Sequence, residues 1–220
     1  MGSITRSFAN NIGSSGILTA SAVTNTTVED VTSFDNAASP ATLVLLSTQT
    51  ASSSANISFT TGLDSTYDVY QFEFINIHPA TDNVFFQFNM STNNGSTYAV
   101  TKTTTYIRSY HFENDSATIL EYDTARDLAQ STSYQDLTAG NGNGADEDCS
   151  GTLTLFNPSS TTYVKHFMSR INTYNFSDIS MESYTAGYGN TTSAVNAINF
   201  KMSSGNIDDG IIKLYGVKKS

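Results

Sequence analysis

"AVNAINFKMSSGNIDDGIIKLYGV", residues 194–217, holds two apolar runs separated by a polar turn. In the first run Ala194, Asn196, Ile198, Phe200 and Met202 fall on one side at a period of two, the spacing of a strand with one face turned to a core. Gly205, Asp208, Asp209 and Gly210 are turn residues, and "IIKLYGV" (211–217) is a second short apolar strand. The two runs are therefore expected to pair as the closing hairpin of an all-β domain.

The same grammar extends backwards from that stretch. "LVLLSTQT" and "ANISFTTG" are β-rich runs divided by Ser52, Ser53 and Ser54, with Gly62, Asp64 and Ser65 making the next turn. "VYQFEFINI" (69–77) alternates Tyr70, Phe72 and Phe74 with Gln71 and Glu73, and "VFFQFNM" (84–90) places Val84, Phe86, Phe88 and Met90 on one side. Asn93, Asn94 and Gly95 supply positive-φ turn chemistry, so 84–90 and 97–106 are expected to form a hairpin. A further hairpin is expected between 152–158 and 161–171, around Pro158, Ser159 and Ser160. Eight or more such runs predict two packed antiparallel sheets, a jelly-roll-like β-sandwich. Residues 110–150 are an irregular insertion, with weak helical character near Ile119, Leu120 and Leu128 and a surface loop over 138–151.

Composition supports this class. Ser, Thr and Asn make up more than a third of the 220 residues, charged residues only 14%, and there are 12 Tyr and 13 Phe. Residues 1–40 differ from the rest: polar, ending at Pro40, and unable to bury much surface alone. They are expected to form an extended or short-helical arm, with Ile4, Phe8 and Ile12 aligned at four-residue spacing to grip a partner. Residues 41–220 are expected to form the sandwich.

Several function classes lose support here. A net charge of −10, with no basic cluster larger than Lys218 and Lys219, repels phosphate backbones, so no nucleic-acid partner is expected. The apolar runs are far shorter than a membrane helix, and the start "MGSITRSFANNIGSSGILTASAV" has no secretory pattern, so synthesis in a cytoplasm without membrane insertion is expected. Cys149 is the lone cysteine and is expected to be passive. No nucleophile elbow, phosphate-cradling loop or H-E-x-x-H helix occurs, and His78, His111 and His166 are widely separated, so no catalytic residue, cofactor or metal is assigned. Asp146, Glu147 and Asp148 could offer oxygen ligands to Ca²⁺ but lack the alternating spacing of a calcium loop, and a solvated loop is the preferred reading. The N-x-[ST] triplets at Asn25, Asn56, Asn94 and Asn190 are expected by chance in so Ser- and Thr-rich a chain. Tyr106, Tyr110, Phe112, Tyr122, Tyr134, Tyr174, Phe176, Tyr184 and Tyr188 lie among Asn, Asp, Ser and Gly, a mixture suited to contact with sugar or protein surfaces; capping of the core ends competes equally for these rings.

"ITRSFANNI" (4–12), the run from Ser47 to Ser91, "LFNPSSTTYVKHFMS" (155–169) and above all residues 186–217 resemble short virion structural proteins of marine tailed phages. The scheme Ile57-Ser58-Phe59, Leu63-x-Ser65-Thr66-Tyr67, Phe86-x-Phe88-Asn89 and Gly210-x-Ile212-x-Leu214-Tyr215-Gly216 is similar to C-terminal domains of phage tail fibres. The resemblance implies a virion protein made in a bacterial cytoplasm, commonly a homotrimer, attached by its arm to a tail or capsid subunit. On that reading Ile4, Phe8 and Ile12 anchor the arm, and the aromatic loops face a host polysaccharide or protein. A capsid decoration or head-fibre protein is the alternative it leaves open, and a polysaccharide-degrading enzyme a weaker one.

Overall fold

The computed structural model describes residues 43–218; Ile4, Phe8 and Ile12, the residues of the expected arm, lie outside them. The described chain forms strands β1 (Leu43–Ser54), β2 (Ile57–Phe59), β3 (Val69–Pro79), β4 (Phe86–Ser91), β5 (Lys102–Phe112), β6 (Thr118–Tyr122), β7 (Gln135–Asp136), β8 (Cys149–Phe156), β9 (Lys165–Asn175), β10 (Ile179–Gly189), β11 (Ala197–Met202) and β12 (Ile207–Val217). All pairings are antiparallel. The sandwich is as expected, but its halves are unequal: an eight-stranded sheet in the order β1-β12-β3-β8-β9-β10-β5-β6 and a four-stranded sheet in the order β2-β11-β4-β7.

The hairpin predicted between β8 and β9 is present, with Thr154 opposite Met168. The other two are not. β11 pairs with β2 and β4 in the small sheet, whereas β12 lies between β1 and β3 in the large one; β4 and β5 are split between the sheets in the same way. Alternation on a strand names the face that is buried and leaves the partner open. Here β11 and β12 point apolar faces at the same core from opposite sides, whereas β5 turns Lys102, Thr104 and Tyr106 inward.

Phe200 on β11 occupies the middle of that core. Its ring centroid lies 5.2 Å from those of Phe72 and Phe74, 5.8 Å from Phe86 and 6.2 Å from Phe59. Most of these contacts are edge-to-face, the arrangement the ring quadrupoles favour. Leu153, Leu155, Phe167, Ile171, Ile212 and Leu214 complete it from the large sheet.

The insertion is more ordered than its composition implies. Residues 118–122 form edge strand β6 rather than a helix, paired antiparallel with residues 107–111 of β5. Leu128 belongs to no helix either, its carbonyl accepting from the Thr104 N–H at 2.9 Å. The predicted surface loop begins buried: Thr138 and Asn141 have no exposed surface, and Asn141 exchanges two backbone hydrogen bonds with Val84.

Candidate functional site

Four strands carry the outer face of the large sheet at its β9-β10-β5-β6 end, where odd and even positions separate cleanly. On β9, Lys165, Phe167, Ser169 and Ile171 are buried while His166, Met168 and Arg170 are exposed. Register then fixes the neighbours. Arg170, Tyr184, Ile107 and Tyr122 form one row across the four strands, and Met168, Ala186 and Thr105 form the next. Met168 is 60% exposed, and Tyr184, Ile107 and Tyr122 are also open.

Ala186 contributes only a methyl group, so the surface dips there into a groove of about 550 Å³. Phe156, Met168, His166, Tyr188 and Thr103 wall it. The His166 and Tyr188 rings meet edge-on at 6.0 Å. At the near edge the Arg170 guanidinium lies 5.4 Å from the Tyr184 ring centre and is paired with Glu182. That pairing holds the Glu182 carboxyl below its ordinary range. Tyr122 donates its hydroxyl to Asp127 at 2.6 Å. The result is a broad apolar and aromatic surface with sparse, paired charge, of the kind that marks a contact site.

The nine aromatic residues singled out in the sequence do not form one surface. Tyr122, Tyr184 and Tyr188 lie on this outer face. Tyr174 and Phe176 sit at the β9–β10 turn, where burial followed by Glu113, Asp178 and Asp146 pushes the Tyr174 phenol up to about 12. Tyr134 belongs to the small sheet's far side, donating to Asn199 at 2.9 Å with Lys201 Nζ over its ring. Tyr106 has no exposed surface: its hydroxyl bonds Ser183 Oγ at 2.7 Å inside the sandwich, so it is an internal anchor and not a contact residue. Tyr110 and Phe112 also point inward, against Ile179, Met181 and Ala139. Odd and even positions of β5 explain the outcome, since Tyr106 and Tyr110 share the inner face with Thr104. Sequence reasoning missed Phe156 and Met168 and set His166 aside as one of three widely separated histidines; a methionine on the polar side of an otherwise alternating strand was the available signal.

The acidic loop lines a separate depression of about 410 Å³ with Asn76, His78, Asp208 and Asp209. Asp148 there accepts from Asn76 Nδ2 at 2.6 Å, Glu147 accepts from the Gly144 N–H, and the His78 ring bonds the Gly144 carbonyl at 3.0 Å. Among the described residues no three His, Cys, Asp or Glu side chains converge as metal ligands. Cys149 is buried, which pushes its thiol up to about 12 and leaves it a poor nucleophile. No protein-family model matches the chain, and neither a curated protein nor a solved structure does.

Proposed function

We propose that the chain is a phage virion structural protein, a tail-fibre or tail-tip component that uses the outer face of its eight-stranded sheet to contact a host-surface glycan or protein. The observation that carries this reading is the groove over Ala186 together with the exposed row Arg170, Tyr184, Ile107 and Tyr122. Aromatic rings and methyl groups suit the apolar face of a sugar ring, and the threonine, tyrosine and histidine polar atoms around them suit its hydroxyls. Homotrimer assembly and attachment through residues 1–40 belong to the same proposal.

The test is binding of purified protein to host cells or envelope polysaccharide, with and without the double substitution Met168→Ser and Tyr188→Ala. Met168 is exposed and Tyr188 half-buried, so stability should fall by no more than about 1 kcal/mol, while binding falls about tenfold or more. Full binding by the folded variant would remove the groove from the account. Capsid decoration is the second reading, favoured by Leu43 and Leu45, exposed where the described chain begins at the sheet edge. Protein stoichiometry in purified particles separates the two: a decoration protein is present in far more copies than a tail component.

A further inference from the structure

Lys102 opens β5 in the large sheet with no exposed surface, and Asn89, equally buried, lies on β4 in the small one. Lys102 Nζ is 2.6 Å from Asn89 Oδ1 and 2.9 Å from the Val100 carbonyl. No carboxylate of a described residue stands within 4.0 Å of it as an ion-pair partner. A buried ammonium with only neutral acceptors is costly, and the group responds by giving up its proton. Burial pushes the Lys102 amine down to about 7, which leaves a substantial fraction as the free nucleophile near neutral pH.

The carboxamide is held with equal definiteness. Asn89 Nδ2 donates to the Tyr98 carbonyl at 2.8 Å and the Thr132 carbonyl at 2.9 Å, which turns Oδ1 toward the lysine. The Met90 N–H donates to the same Oδ1 at 2.9 Å, where negative charge would develop on attack. The surroundings are tight: a Cβ placed at Gly189, opposite Lys102 on β10, would come within 2.8 Å of Met90 and 2.9 Å of Val100. Amine and carboxamide are thus held side by side in one desolvated site, 2.6 Å apart from Nζ to Oδ1.

We propose that Lys102 and Asn89 close into an isopeptide bond, a covalent tie between the two sheets. Nζ attacks Asn89 Cγ and forms the new C–N bond while Oδ1 takes up charge beside the Met90 N–H. The Cγ–Nδ2 bond then breaks, one proton passes from Nζ to Nδ2, and ammonia departs. Nothing is oxidised or reduced, and no co-reactant is consumed. With no acid within ion-pair distance to relay the proton, closure is slow, and its signature grows with time after synthesis.

Intact mass of the folded, full-length protein is the test, followed through incubation at mildly alkaline pH. The expected result is loss of one ammonia relative to the sequence mass, with trypsin failing to cut after Lys102. Chymotrypsin, cutting after Tyr98, should release a branched peptide joining the Asn89 and Lys102 segments. The Asn89→Ala variant should keep its full mass and be cut after Lys102; if it does not fold, the wild-type peptide map still gives the answer. A wild-type protein that stays at its sequence mass and is cut at Lys102 overturns the proposal. So does an ammonia loss that maps to succinimide at Asn94-Gly95, Asn141-Gly142 or Asn143-Gly144.

Discussion

The inner face of the large sheet is covered in two different ways. Under β12, β3, β8 and β9 it meets the small sheet through packed phenylalanines, with Phe72, Phe86, Phe88 and Phe200 fully buried. Under β10 and β5 the cover includes the stretch 123–141, and the contacts are polar. Gln135 accepts from Thr104 at 2.6 Å, Arg126 bonds Asp136 at 2.9 Å and lies 3.3 Å from Asp123, and Arg108 ties Glu121 and Asp123. One half is held by area and shape, the other by a network in which each group needs its partner. The difference explains how so hydroxyl-rich a chain closes a sandwich this wide: the apolar residues are concentrated under one half, and paired polar groups fill much of the other, with Arg126 Nε and the Asn141 carboxamide left without a hydrogen-bond partner.

The largest effect should come from the apolar half. Phe200→Ala removes the ring that touches Phe59, Phe72, Phe74 and Phe86, and should cost about 3–5 kcal/mol in denaturant unfolding. In the polar half, Arg126→Met strands the Asp136 carboxylate, leaving Gln87 Nε2 at 2.6 Å as a side-chain donor. A loss of about 2–3 kcal/mol is expected, and most of it should return when Asp136→Leu is added, which a double-mutant cycle measures. Were the double variant no more stable than the single one, the network would not be acting as a unit. Thr104→Val leaves Gln135 Oε1 without its donor and should cost about 1–2 kcal/mol.

The smallest effect lies outside both halves, at Arg170 and Glu182. The folded Glu182 carboxyl is held below its ordinary 4.5, first by the hydrogen bond from Arg170. As pH falls the unfolded chain takes up that proton first, so the contribution is present above pH 4.5 and is lost as pH drops through the folded value. On an exposed face it is about 0.5 kcal/mol or less, read as a slightly shallower acid slope of melting temperature in Glu182→Gln.

Much of the fold was legible because strand periodicity survives in single runs. Tyr70, Phe72 and Phe74, and again Ile198, Phe200 and Met202, point where the alternation says. Partner choice was not legible, since turn residues such as Asn94 and Gly95 serve a crossing between sheets as well as a hairpin. The candidate site was half legible for the same reason. Tyr184 and Tyr188 fell on the open face and Tyr106 on the closed one, although all three have similar neighbours in sequence. The strand phase that separates them is set by pairing with β9 and β5, which only the assembled sheet supplies.

One consequence concerns synthesis. β1 and β3 never touch as hydrogen-bonded neighbours; the gap between them is filled by β12, made some 130 residues after β3. Until Val217 has left the ribosome, β1 has no strand to hold it and the backbone edge of β3 stays open. The large sheet is therefore completed only when β12 has been made, and a chain cut before Ile207 would leave β1 without its partner strand and one edge of β3 open.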